Sequence, residues 1–138
     1  MHDTNASAKV KIFKLKNMST KKTLVIGASE NKERYSNLAV RKLLSYNHPV
    51  IALGNRAGMI DGTEIITEQK PIEDVDTVTL YLNPLHQKAY YDYILSLNPK
   101  RIIFNPGTEN EELESMAREK GIKTLEACTL VMLSTTQY

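Results

Sequence analysis

The stretch TLVIGASENKERYSNLAVRKLL, from Thr23 to Leu44, constrains the fold more than any other part of the chain. Its first residues, Thr23–Gly27, form a continuous apolar run behind two lysines. Such a run reads as a strand buried on both faces, the kind found in parallel sheets. A polar loop follows. Ser36 is expected to cap a helix running through Asn47, with Leu38, Val40, Leu43 and Leu44 as its apolar positions. Strand, glycine turn and helix in that order are the opening unit of an alternating α/β sheet.

The rest of the chain repeats the unit. Pro49–Leu53 is a second apolar strand, with proline tolerated at its start. The loop GNRAGMIDG and then TEII follow, and nothing between Gly54 and Val75 has the period of a long helix. Asp76–Leu82 is a third strand. Asn83-Pro84 ends it, and a helix is expected to about Leu97, with Ala89, Tyr93, Ile94 and Leu97 on one face. Arg101–Phe104 is a fourth strand. Thr108 and Glu111 then have capping-box spacing, acids crowd the first helical turn, and Leu113, Met116, Ala117 and Lys120 share a face. Gly121 stands where a helix-ending glycine belongs. IKTLEA is a fifth strand, and Cys128–Leu133 a short final helix.

The 138 residues suit one domain with a real core. The net charge of +2 hides an asymmetry. Residues 1–22 hold six lysines and one acid, which leaves 12 Lys and Arg against 15 Asp and Glu in the remainder. The domain is expected over residues 21–138, behind a basic N-terminal extension over residues 1–20; within it, VKIFKLK has the alternation of a short edge strand. A nucleic-acid partner would depend on that extension alone, and Phe13 is its only aromatic, so none is expected. No apolar run approaches the ~20 residues that span a bilayer. With Cys128 as the only cysteine and no apolar leader, a cytoplasmic protein is expected.

In open α/β sheets ligands lie beyond the carboxyl ends of the strands, where the strand order switches. That rule selects four loops, Ala28–Ser36, Gly54–Gly62, Asn83-Pro84 and Asn105–Thr108, all rich in Gly, Asn, Ser or Pro. Such residues turn tightly and let a ligand approach the backbone, and a helix N-terminus adds positive potential suited to phosphate. The first loop keeps only Gly27 of the three glycines in the dinucleotide signature G-x-G-x-x-G. After the second strand, a nicotinamide cofactor without a ribose phosphate calls for Asp or Glu. Here the strand ends Leu53-Gly54-Asn55-Arg56, and an arginine instead suits a phosphorylated ribose, as in NADP or coenzyme A. No catalytic set stands out. His2, His48 and His86 lack metal spacing, Cys128 lacks a CxxC partner, and the carboxylates fall mainly on expected helix surfaces.

Together, VIGAS with ERYSN, then GNRAGMIDGTEI, DTVTLYLNP and IIFNPGTENEELESMAREKGIKTLEAC, give Lys22–Leu133 an order of motifs that resembles the small stand-alone CoA-binding proteins. Their fold is shared with the CoA-binding domain of the succinyl-CoA synthetase α subunit. The resemblance implies an α/β, Rossmann-like three-layer sandwich around a mostly parallel five-stranded sheet, in strand order 3-2-1-4-5. It implies that Gly27, Ala28, Ser29 and Arg34 lie along the CoA phosphates, with Ser36 at the helix start. Asn55 and Arg56 would face the adenosine end and its 3′-phosphate, and Asn83 and Pro84 the adenine or pyrophosphate; Asn105 and Gly107, in the loop after the fourth strand, complete the candidate binding residues. The synthetase's phosphohistidine segment has no counterpart here, so ligase activity is not carried over. The expected function is a non-catalytic CoA or acyl-CoA binding module, alone, as a homodimer or beside a partner enzyme subunit. An NADP(H)-binding protein and an interaction domain with a vestigial pocket remain the alternatives.

Overall fold

A computed structural model describes residues 19–138. Most of the basic extension, including VKIFKLK, lies outside the described residues. The first strand, β1 (Thr23–Ile26), is the axis of the sheet. Its side chains alternate between two cores: Leu24 and Ile26 belong to one, Val25 to the other. Burial on both faces is why the run is apolar throughout. Helix α1 (Tyr35–Ser45) covers one face, with Val40 and Leu43 packed on Val25 and Ala52.

Strand β2 (Val50–Leu53) pairs with β1 in parallel, Thr23 opposite Val50 and Ile26 opposite Leu53. The chain then makes a hairpin of β3 (Gly58–Ile60) and β4 (Thr63–Ile66). Its two turn residues, Asp61 and Gly62, both have positive φ (44° and 81°). That is the Asp-Gly chemistry of a tight hairpin turn, whose twist matches the strands it joins. β4 continues the parallel sheet beside β2, with Ala52 opposite Ile65.

With the outer side of β2 occupied by β4, β5 (Thr77–Leu80) goes to the other side of β1, Thr23 opposite Thr77. β6 (Arg101–Phe104) and β7 (Lys123–Glu126) extend the sheet outward from it in parallel. The order is β3-β4-β2-β1-β5-β6-β7. The expected five-stranded order 3-2-1-4-5 is thus corrected on two counts. Among the described residues the sheet has seven strands, and the third expected strand flanks β1, because β4 holds the place beside β2. Class and mostly parallel pairing are as expected.

The second face is covered by the segment after β5 and by α4 (Glu111–Glu119), which buries Leu113 and Ala117. The single helix expected up to Leu97 is broken into α2 (Pro84–Gln87), a 3-10 turn (Lys88–Tyr90) and α3 (Tyr91–Leu97). The break shifts the phase: Ala89 is exposed, whereas Gln87, Tyr93, Ile94 and Leu95 are buried. Two caps also differ from expectation. Arg34, not Ser36, precedes α1, and Ser36 is a buried residue of the helix. Asn110, not Thr108, caps α4, its Oδ1 accepting the Leu113 N–H at 3.2 Å. Thr108 instead donates its hydroxyl to the Asn105 carbonyl at 2.8 Å. Gly121 ends α4 at φ +77°, and the Ile122 N–H reaches back to the Ala117 carbonyl. Helix α5 (Thr129–Ser134) returns to the α1 face, burying Leu133.

Candidate functional site

The connection after β1 passes over one face of the sheet, and that after β5 over the other. The carboxyl ends of these adjacent strands therefore part, and a crevice opens between them. Its floor is built by close backbone approach. The N–H groups of Gly27 and Ala28 both donate to the Leu53 carbonyl, at 2.9 and 3.0 Å. Gly27 has φ +98°, and a Cβ there would lie 2.9 Å from the Tyr81 carbonyl oxygen. A Cβ on Gly54 would lie 2.3 Å from the Ala28 carbonyl oxygen. Both positions require glycine for that reason.

The rest of the first loop is tied down by its own polar groups. Ser29 Oγ accepts the Asn31 N–H, Asn31 Oδ1 accepts the Glu33 N–H, and Asn37 Nδ2 donates to the Ser29 carbonyl at 2.8 Å. Glu30 reaches across to the hairpin, where its carboxylate accepts the Met59 N–H at 2.9 Å. The loop ends in extended backbone at Arg34, and no side chain caps α1 among the described residues. The first N–H groups of an 11-residue helix are therefore left for water or a ligand.

Two contiguous cavities open here. The larger, about 450 Å³, runs from Ser29 and Asn55 to His86 and Tyr90. The smaller, about 220 Å³, runs from Tyr35 and Ser36 to Pro106, Gly107 and Thr108, with Asn83 on its wall. Gly27, Arg34, Tyr81 and Leu82 line both. Arg34 is the only Lys, Arg, Asp or Glu among the described residues of either lining.

Of the residues expected at the site, the crevice brings together Gly27, Ala28, Ser29, Arg34, Ser36, Asn55, Asn83 and Gly107. Arg56 is exposed next to Asn55, and Pro84 is exposed at the start of α2; neither lines a cavity. Asn105 is buried, and its amide is engaged within the fold. Nδ2 donates to Thr79 Oγ1 and the Leu80 carbonyl, and Oδ1 accepts the Thr129 N–H. Asn83 uses Oδ1 to accept the His86 N–H at the start of α2.

The sequence reading missed the wall formed by Tyr81 and Leu82, since it carried the third strand through both. Tyr81 packs its ring on the α1 side of the sheet. Its hydroxyl is buried with no hydrogen-bond partner among the described residues, beside Thr79 and Thr129, which bond one another at 2.8 Å. Burial pushes its phenol well above the usual tyrosine range. Gln87 was missed too. Fully buried, it donates to both the Leu82 and the Thr108 carbonyls, at 2.7 and 2.8 Å, and so joins two walls of the crevice. Its Oε1 accepts from Asn110 Nδ2, which links this joint to the α4 cap. His86, which lacks metal spacing in the sequence, is an exposed residue on the larger cavity. His48 is structural: its Nδ1 accepts the Lys21 N–H at 2.9 Å.

Among the described residues, no three His, Cys, Asp or Glu side chains gather as metal ligands, and no helix is long and apolar enough to cross a membrane. A family model described as a CoA binding domain matches residues 21–134. An uncharacterized protein of known structure is 52% identical, with 87% of this chain and 99% of that chain covered, at a TM-score of 0.85. A conserved hypothetical protein from Pyrococcus furiosus shares 24% identity over 80% of this chain and 97% of its own, at a TM-score of 0.70. A Thermus thermophilus protein shares 20% identity over the whole of both chains, at a TM-score of 0.76. These last two likenesses speak to the fold alone. No curated protein matches the sequence.

Proposed function

The chain belongs to the CoA-binding domain family, and on that premise we propose that it is a non-catalytic module that captures coenzyme A, or an acyl-CoA, in the crevice between β1 and β5. One observation carries the reading. Gly27, Arg34 and the uncapped start of α1 converge on the wall common to both cavities. Backbone N–H groups at a helix start, a glycine that lets a ligand close in, and a single guanidinium are the donors a pyrophosphate needs. The lobes on either side suit the two arms of such a ligand. The nucleoside lies in the larger, with Ala28, Ser29 and Asn55, and the pantetheine in the smaller, with Ser36, Asn83 and Gly107. Pro84 supports that wall from the first turn of α2, and Asn105 holds the β6 loop in place.

When bound, CoA supplies a thiol or thioester; the residues of the chain bind and orient it. The hydroxyls and the His86 imidazole that line the crevice are bonded to no side-chain base among the described residues, and no metal set gathers there, so capture, carriage or presentation to a partner subunit fits better than turnover. A single cysteine suits a reducing compartment such as the cytoplasm.

Arg56 stands outside the cavity but next to Asn55, where its exposed side chain meets the 3′-phosphate of the ribose. Arg56→Ala is expected to weaken CoA roughly tenfold while leaving dephospho-CoA, which lacks that phosphate, almost unaffected. Calorimetric titration with both ligands decides it. An equal loss for the two removes Arg56 from the site.

A further inference from the structure

Resting on the reading of the crevice as a CoA site, we propose that its acyl end accepts a free thiol or an uncharged acyl group and discriminates against one that ends in a carboxylate. The lobe volumes set the direction of the ligand. A bulky nucleoside fits the lobe of about 450 Å³, and a thin pantetheine arm with its thioester fits the narrower one of about 220 Å³. The sulfur and whatever it carries therefore emerge near Pro106, Gly107 and Thr108.

Among the described residues no cation lines that end of the lobe. Arg34, the one charged residue in the described linings, lies on the wall common to both lobes, where the pyrophosphate neutralises it. The donor that an acyl carboxylate would seek is also spent: the Gly107 N–H donates to Glu109 Oε1 at 2.8 Å. That bond holds an exposed carboxylate at the rim of the lobe. Glu111 and Glu112, in the first turn of α4, stand close behind in sequence. A succinyl-type group would meet negative charge without a compensating donor. An uncharged acyl group would meet Leu82, Tyr35 and Pro106.

The test is calorimetric titration of the full chain and of Glu109→Gln with CoA, butyryl-CoA and succinyl-CoA, at low and at raised salt. Glutamine keeps an acceptor for the Gly107 N–H and removes only the charge. In the unaltered protein butyryl-CoA is expected to match CoA, with succinyl-CoA weaker by roughly fivefold at low salt. The gap should shrink with added salt and in Glu109→Gln, since screening and neutralisation both remove an electrostatic cause and leave a steric one untouched. Equal or tighter binding of succinyl-CoA overturns the proposal, as does a gap that Glu109→Gln leaves intact. Failure of CoA itself to bind overturns instead the reading of the crevice on which it rests.

Discussion

Gly54→Ala is expected to lower the melting temperature by roughly 6–10 °C, a cost of about 2–3 kcal/mol. The new methyl would lie 2.3 Å from the Ala28 carbonyl oxygen, inside any real contact distance, and 3.2 Å from the Ile65 side chain. A carbonyl cannot rotate away as a side-chain tip can. The first loop must lift, and with it the paired bonds from Gly27 and Ala28 to the Leu53 carbonyl. Gly54 also donates its own N–H to Ile66, so moving it strains the β2–β4 joint. The comparison that isolates the cause is Gly58→Ala. The nearest atoms a Cβ there would meet all belong to the Glu30 side chain, which is long and exposed and can move aside at the cost of loosening its exposed bond to the Met59 N–H. Its expected cost is below about 1 kcal/mol. Equal melting temperatures for the two variants would contradict the backbone-contact argument.

Arg34→Ala is expected to weaken CoA by roughly 10–100-fold with no change in melting temperature beyond about 1 °C. The residue is exposed, and its guanidinium makes no hydrogen bond or ion pair among the described residues, so the fold loses little without it. The ligand loses the one formal positive charge that lines the crevice among the described residues. Arg34→Lys should recover part of the affinity, since an ammonium restores the charge but not the fork of parallel donors. The remaining binding to Arg34→Ala should depend less on salt than that of the unaltered protein. Unchanged CoA affinity in Arg34→Ala would remove the electrostatic half of the account.

The alternation of elements could be read in the chain because the central parallel strands are short, mainly apolar runs bounded by polar or turn residues. Leu24–Ile26 and Ile102–Phe104 are apolar because both faces of the sheet are covered. Strand order could not be read the same way. It depends on which side of β1 a crossover returns to, and that was decided by a hairpin whose strands are three and four residues long. The Asp61-Gly62 pair between apolar residues was the available signal for that hairpin. A strand of three residues that opens on glycine gave it little support.

The caps failed for a related reason. Thr108 and Asn110 both stand before the apolar run of α4, and spacing alone favoured the threonine. Asn110 wins because Gln87 and Tyr91, distant in sequence, accept its amide N–H groups and orient its oxygen toward the helix. Ser36 lost its place because the turn from Asn31 to Arg34 starts α1 two residues early. The loops of the candidate site were legible since turn residues cluster at strand ends. Tyr81 and Leu82 were not, because an aromatic and a leucine at a strand's end read as more strand. Gln87 gave no signal at all, since its two acceptors come from different loops.

The central claim is that the crevice between β1 and β5 holds coenzyme A, and titration of the unaltered protein with CoA and with NADPH, side by side in one calorimeter, tests it most directly. Both ligands carry a pyrophosphate and a phosphorylated ribose, and they differ in the position of the ribose phosphate, 3′ in CoA and 2′ in NADPH, and in the arm that enters the smaller lobe. The account predicts saturable one-to-one binding of CoA at micromolar concentrations, with NADPH weaker by at least about tenfold. Tight binding of NADPH with no heat from CoA would contradict it.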